Sequence, residues 1–522
     1  MKLATPSLVA RAASWVGRFS GTSHTAASMT ANELAGWNPR RGTSADDEIG
    51  PELSTLMARA RDADRNNGVA RSGINTIIDN VVGTGLRLSS RPNYLALGQD
   101  KDWATTWSQT VEALFHEWWW STACSRSDTL NGDQQSEQAL RAELMNGDSI
   151  AIAHWIPTRG DGFATKLQLV EGDRLCNPNG SPDTPTLRGG VQFDADGVPL
   201  GYWIRNSYPG DSLLYASSGT PKWEFVPRKT PHGRLRVIHN FYADRAGQTR
   251  GKPLLTSVMA HFKQADRYLA AELAAAVNNG LVSGMMETPL DQESIIELFS
   301  KDAAGYLKAR QEHAVRLEGG SLVPLFPGDK LSSFIPGRPN PAFGAFVENV
   351  FRIVAVGLDM PYELLLKDFS KTTYSSARAS MLEAWRSFNR RRDRFGSGFM
   401  DPVYGLFLEE VVNDGRVAAP GYYERRRAYS RCRWIGPGKG WVDPVKEAQA
   451  ALLRIDAGVS TLEDECAEQG KDWREVLEQL AVERAERERL GLPDYGAQRA
   501  SNPIPSVAGD APPAPAQQQG AA

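Results

Sequence analysis

The residue types that could carry chemistry are few and scattered in this chain. Seven histidines, His24, His116, His154, His232, His239, His261 and His313, stand singly, with no HExxH pair among them. Isolated histidines serve as structural or surface groups far more often than as ligands or bases. Cys124, Cys176, Cys432 and Cys466 are widely spaced and form no CxxC pair. That pattern points to free thiols in a reducing compartment, not to a zinc site or a disulfide framework. The carboxylate pairs Asp46-Asp47 and Glu409-Glu410 fall in linker and amphipathic contexts, and both read as solvated faces.

Phosphate-binding motifs are missing as well. "GPGKG" at 436–440 lacks the spaced first glycine and the hydroxyl residue of a phosphate-cradling loop, so it reads as a Gly/Pro turn. "GTG" at 83–85 follows a helical pattern, not a strand, and lacks the third glycine of a dinucleotide site. Trp118-Trp119-Trp120 could stack on bases, but Trp118 continues an apolar helical stripe. Core or subunit packing is the expected role there. No catalytic residue, metal site or cofactor is expected. An enzyme working through dispersed carboxylates and a metal is the competing class.

The elements that would position any site are clearer. The 522 residues are 41% hydrophobic and 23% charged, a globular composition with room for roughly two to four core-bearing units. A formal net charge of −3 excludes a polyanion-coating protein, so contact with nucleic acid must be local or weak. No apolar run reaches the roughly 18–20 residues of a membrane span, and no membrane partner is expected. The N-terminal "MKLATPSLVARAASWVGRF" is interrupted by Arg11, Ser14 and Arg18, which suits a short docking arm better than a secretory signal.

Residues 20–49 read as an extended arm. Helical patterning starts at Pro51, breaks at Asn66-Asn67-Gly68, and resumes with Ile74, Ile77, Ile78, Val81 and Val82 on one face. Further helices are predicted near 104–120 and 136–146. The period then switches to strands: "SIAIAHW", "KLQLVEG", a hairpin in "GVQFDADGVPLGYWI", and "RLRVIHNFY". This makes an α+β unit. Long helices follow at 253–279 and 341–356, with a Pro-punctuated module between them. Three capped helices fill 443–491, opened by Asp443-Pro444, Ser460 with Glu463, and Asp472 with Glu475. The tail "SNPIPSVAGDAPPAPAQQQGAA" is low-complexity sequence.

One stretch combines helices with basic residues. In "GLDMPYELLLKDFSKTTYSSARASMLEAWRSFNRRRDRF", Gly357 and Pro361 interrupt a helix, and a polar loop carries Lys367 and Lys371. A second helix then sets Met381, Trp385, Phe388 and Phe395 on an apolar stripe. Arg386, Arg390 and Arg394 lie on another face, beside Arg391 and Arg392. These arginines are candidates for inter-subunit or phosphate contact.

Taken together, several stretches identify a family. "RNNGVARSGINTIIDNVVGTG", "EGDRLCNPNG", "GQTRGKPLLTSVM", "FVENVFRIVAVGLDMPYELLLKDFSKTTYSSARAS" and "RCRWIGPGKGWVDPVKEAQAALLRIDAGVSTLEDECAEQG" occur in this order. The sequence from about Trp37 to Gly491 resembles the lambda-family bacteriophage portal proteins. The resemblance implies an α+β portal fold with wing, stem, clip and crown regions, closing into a cyclic homo-oligomeric ring, normally a dodecamer, around a DNA channel.

On this chain it implies an arm at 1–49, wing at 50–252, stem helices at 253–283 and 341–358, and clip at 284–340. The tunnel loop is implied at 359–376, a wing return at 377–442, crown at 443–491 and a tail at 492–522. Lys367, Lys371, Thr372, Thr373 and Tyr374 would face the channel. Arg310, Glu312, Arg316, Lys330 and Arg338 would be terminase-docking candidates of the clip. Implied partners are further copies of the chain, double-stranded DNA read without sequence specificity, terminase, head–tail connector or adaptor proteins, and major capsid and scaffold proteins. The implied location is the virion, with assembly in the host cytoplasm. Another head-completion or adaptor protein is the alternative within the same class. Across subunits, Arg386–Arg394 would meet acidic patches such as Glu463-Asp464-Glu465 or Glu409-Glu410.

Overall fold

The computed structural model describes residues 36–211, 222–281, 285–287, 305, 308, 330–332, 343–440 and 443–492. Arg310, Glu312, Arg316 and Arg338 lie outside these residues, as do most of the N-terminal arm and the C-terminal tail.

Helix α1 (Ala45–Asn66) begins where the Ser44 side chain accepts from the Asp47 amide, with Asp46, Asp47 and Glu48 in its first turn. Negative charge there meets the positive end of the helix dipole. The helix therefore starts ahead of Pro51, which lies inside it, and residues 45–49 are not part of an extended arm. Asn67 caps α2 (Gly68–Val81), which buries Ile74, Ile77, Ile78 and Val81 as their spacing predicts. Strand β1 (Arg87–Ser90) follows, then α3 (Lys101–Trp120), capped by Asp100. Trp118 and Trp119 are buried in the core, which bears out the packing role over base stacking. A capping box of Asn131 and Gln134 opens α4 (Gly132–Asn146), and Gly147 ends it at φ +87°, a conformation glycine adopts without a Cβ penalty.

Strands β2 (Asp148–Trp155) and β3 (Thr165–Val170) pair antiparallel in a three-stranded sheet with β2 at its centre. Strands β4 (Leu187–Arg188), β5 (Val191–Phe193), β6 (Pro199–Arg205) and β7 (Trp223–Pro227) form a second antiparallel sheet in sequence order. The predicted hairpin joins β5 to β6, with Gly197 at φ +79° in its turn. Strand β8 (Val237–Phe241) returns to the first sheet. The two-residue period of β2 sorts its side chains. Ile150 and Ile152 pack with Val191, Tyr202 and Val226 of the second sheet, while Ala151 and Ala153 join the main helical core.

A 3-10 turn at Leu254–Ser257 leads into α5 (Met259–Leu281). Of the Pro-punctuated module, β9 (Met285–Glu287) and β10 (Lys330–Ser332) are described, and they pair antiparallel with Lys330 opposite Glu287. Then come α6 (Phe343–Gly357), the short α7 (Tyr362–Leu366) and α8 (Tyr374–Phe395). A π-helical turn, Gly396–Met400, joins α8 to α9 (Asp401–Asn413). Strand β11 (Cys432–Ile435) pairs with β1, so this later segment completes the first unit. Helices α10 (Pro444–Asp456), α11 (Leu462–Glu468) and α12 (Trp473–Arg489) end the described chain. Gly458, Gly470 and Gly491 stop them, each at positive φ. The middle cap is Thr461 accepting from Asp464, not Ser460 with Glu463.

The acidic pairs behave differently from expectation. In α9, Glu409 and Glu410 are 5% and 1% exposed, because this helix is apolar around its circumference and is buried on every side. Glu410 accepts from the amides of Ala164 at 2.5 Å and Thr165 at 2.9 Å, and Glu409 pairs with Arg426 at 3.0 Å. Asp46 accepts from both the amide and the hydroxyl of Thr249 and pairs with Arg188 at 3.2 Å. Glu409, Glu410 and Asp46 are internal fasteners, whereas Asp47 stays on the solvated face as expected. The cysteines are free, with Cys124 buried and its thiol pushed up to about 12 by burial.

Candidate functional site: a capped loop on paired long helices

The long helices α5 and α6 are held together by aromatic and close backbone contact. Tyr268 of α5 stacks on Phe343 at 5.7 Å and meets Phe346 edge-on at 4.8 Å. Gly357 lets the end of α6 approach Val258, which a Cβ would strike. The helix stop itself is made by Asp359 at φ +56° and the Met360 amide donating to Ala355 O at 3.1 Å. Gly357 thus serves packing rather than chain reversal, and Pro361 caps α7.

Helix α7 fixes one root of the loop to the core. Leu365 is fully buried, and the Ser72 hydroxyl of α2 donates to its carbonyl at 2.8 Å. Lys367 closes α7 in the left-handed region at φ +56°, uncommon for a residue with a Cβ. The other root is a capping box: Thr373 accepts from the Ser376 amide, and Ser376 Oγ accepts from the Thr373 amide at 3.0 Å. Residues 359–376 are therefore not one flexible connection. The irregular part is 367–373, a loop of mostly exposed residues between two capped helices.

The two lysines differ. Lys367 is exposed and forms no ion pair among the described residues. Lys371 donates to Glu348 of α6 at 2.8 Å, and Arg352 reaches the same carboxylate at 2.7 Å. The hydrogen bond from Lys371 holds the Glu348 carboxyl below its usual range. Thr372 closes a turn by donating from its hydroxyl to Phe369 O at 2.8 Å. Tyr374 is the first residue of α8.

The arginines of α8 also separate. Arg386 is 81% exposed and pairs with Glu383 at 3.1 Å; Arg390 pairs with Asp359 at 3.1 Å. Arg391 lies near Glu143, and burial lowers its pKa. Arg392 donates to Asn80 O at 2.6 Å and Val81 O at 3.1 Å and lies over Trp385. Arg394 sits 3.7 Å from the ring centre of Tyr242. Arg392 and Arg394 are thus engaged within the subunit. So are the acids once assigned to a neighbour: Glu463 pairs with Arg91, Asp464 with Arg433, and Glu465 with Arg454.

The functional residue that sequence reasoning missed is Arg250, within "GQTRGKPLLTSVM". It is buried and donates to the Asp148 carboxylate, to Leu175 O at 2.7 Å, Gly189 O at 2.9 Å and Gly172 O at 3.0 Å. Asp148, fully buried, also accepts from the Gly251 amide at 2.8 Å and bonds His239 at 3.1 Å. Burial pushes this carboxyl up, but Arg250, His239 and the amide outweigh it and hold it below the usual range. A Cβ on Gly251 would strike Gly147. This knot joins both sheets to the lead-in of α5. Its signal was the glycine pair, Gly247 and Gly251, that brackets Gln248-Thr249-Arg250.

Between α3 and α12 lies a crevice of about 420 Å³ lined by Arg87, Glu112, His116, Trp119, Asp472, Arg474 and Glu475. Burial, with Asp472 and Glu475 adding, raises Glu112 to about 7 against the Ser90 amide and Arg474. The unfolded chain releases this proton near pH 4, the fold only near 7, so stability falls as pH rises across that window. Glu112→Gln is expected to gain about 1–3 kcal/mol at pH 8 and nothing at pH 4, read as a pH-dependent difference in urea midpoints.

Among the described residues no group of three His, Cys, Asp or Glu could hold a metal, and no helix is long and apolar enough to cross a membrane. The family described as "Phage portal protein, lambda family" matches residues 30–392. Portal protein B of Escherichia phage lambda is 32% identical over 494 residues, covering 90% of each chain. The portal protein of Escherichia phage N15 is 32% identical over 485 residues, 88% of this chain and 89% of its own. A solved chain from the virion of a native gene transfer agent particle aligns over 89% of this chain and 98% of its own, with 13% identity and a TM-score of 0.47. The chain belongs to the lambda family of phage portal proteins, and its function is that of a phage portal protein.

Proposed function

We propose that copies of this chain close head-to-tail into a dodecameric ring at the virion's capsid vertex, forming a non-catalytic conduit for packaging and ejecting duplex DNA. In this reading residues 50–252 are the wing, α5 and α6 the stem, 284–340 the clip, and 443–491 the crown. The loop at 367–373 faces the channel. Terminase, and later a head–tail connector, dock on the clip, where Lys330 is a described candidate. Arg310, Glu312, Arg316 and Arg338 complete that proposal. Capsid and scaffold proteins surround the ring, which assembles in the host cytoplasm.

The carrying observation is the exposed loop held at both roots on paired helices. Those helices also leave Leu273 and Val277 of α5, and Phe346, Ile353 and Val356 of α6, exposed. An apolar face of that kind needs a cover, and a ring supplies one through heterologous contacts. Native mass measurement of the purified chain tests the proposal: a closed ring supports it, and a monomer or dimer overturns it.

Arg386 and Arg390 remain at the surface and are assigned to the subunit contact. Reversing both to glutamate is expected to lower ring yield severalfold while the isolated subunit's unfolding midpoint stays nearly constant, since exposed pairs contribute about 0–1 kcal/mol. Unchanged ring yield by native mass would remove them from the interface.

A further inference from the structure

We propose that residues 443–492 form a hinged body latched to the rest of the subunit by ion pairs, so that ionic strength sets whether it is docked or free. The argument begins with what is missing from its attachment. No residue of α10, α11 or α12 is buried. None belongs to either buried core or to the apolar shell packed against the main one. Val445, Leu453, Val459, Val482 and Leu490 are all more than half exposed.

What does cross the junction is charge. Arg91 pairs with Glu463, Arg433 with Asp464 at 3.2 Å, Arg87 with Glu475 at 2.5 Å, and Lys439 with Glu468. In each, a base before residue 440 meets an acid of α11 or α12. Arg474 and Glu112, 3.7 Å apart, run in the opposite sense. All of these side chains are partly exposed, so salt can screen them.

The strand-to-helix connection is built as a hinge pad. Gly436, Gly438 and Gly440 punctuate it, and a Cβ on Gly438 would meet the backbone of Gln469. Gly470, at φ +74°, lies against the Gly436 carbonyl and the Gly438 amide. The "GPGKG" segment is thereby explained as a backbone-on-backbone seat that holds position without interlocking side chains. A body seated on glycine backbone and tied by exposed ion pairs is released without disturbing the apolar core.

Hydrogen–deuterium exchange on the full-length protein tests this. Raising sodium chloride from 0.1 to 1 M shortens the screening length from about 10 to about 3 Å. Exchange in α11 and α12 is expected to speed by about tenfold while α3 is unchanged. Arg91→Glu should raise α11 exchange at 0.1 M, and adding Glu463→Arg should restore protection. Exchange that salt leaves unchanged, or slows as it would for an apolar attachment, overturns the latch, as does a double variant no better than the single one. Ring formation is scored separately by native mass, so the latch and the ring can fail independently.

Discussion

Replacing Arg250 with methionine is expected to lower the unfolding free energy by about 3–5 kcal/mol, the scale for removing one partner of a buried ion pair. The guanidinium is 7% exposed and Asp148 is 0% exposed. Methionine leaves the carboxylate without its main counter-charge and strands the carbonyls of Gly172, Leu175 and Gly189. Acid titration gives a second readout. In the native protein Asp148 is held below the usual range. Its contribution is therefore complete above about pH 4 and fades as pH falls through the lowered value. In the variant, burial remains without the guanidinium, so that carboxyl rises and the gap between the two proteins narrows at low pH. Adding Asp148→Leu to Arg250→Met should recover part of the loss, because replacing both members of a buried pair is often nearly neutral. A single-variant loss below about 1 kcal/mol, measured by urea unfolding, would show that the knot is not a major support.

The knot marks where sequence reading reached its limit. Helix starts and stops were legible because their chemistry is local. Asp443 and Asp472 cap as predicted, the break at Asn66-Asn67-Gly68 falls where Asn67 caps the next helix, and Gly147, Gly458, Gly470 and Gly491 end helices at positive φ. The second of the C-terminal caps slipped by one residue, since Ser460 and Thr461 both offer a hydroxyl and only the folded turn chooses Thr461. The fates of charged side chains were not legible. Glu410 finds its donors at Ala164 and Thr165, and Asp46 finds Thr249, partners far away in sequence. The arginines at 386–394 of α8 look alike on a helical projection, yet the neighbours of Arg392 are Asn80, Val81 and Pro437, brought in by tertiary packing. The Lys371–Glu348 pair is of the same kind. The family's motifs carried the function because such long-range fits recur as sets, which local rules cannot see.

Replacing residues 368–372 by Gly-Ser-Gly is expected to leave rings intact and to cut DNA-filled heads to about a tenth or less of the native yield, if the loop faces the channel as proposed. The exchange keeps both roots: Lys367 still closes α7 and Thr373 still opens α8. Folding and ring closure should therefore be unaffected. What changes is reach and charge. A translocating duplex must be centred without being gripped, and some 6–10 phosphate contacts already give tight, strongly salt-dependent binding. With Lys371 bridged to Glu348, the proposed ring would offer Lys367 of each subunit as the cation that a phosphate meets first. Repeated around a ring, that is enough to centre a duplex and too little to arrest it. Lys371→Ala should therefore package nearly normally, whereas the shortened loop should not. Filled-head counts by electron microscopy, alongside native mass of the rings, separate the outcomes. Normal packaging by the shortened loop would remove residues 367–373 from the channel, and loss of rings would make them part of the subunit contact instead.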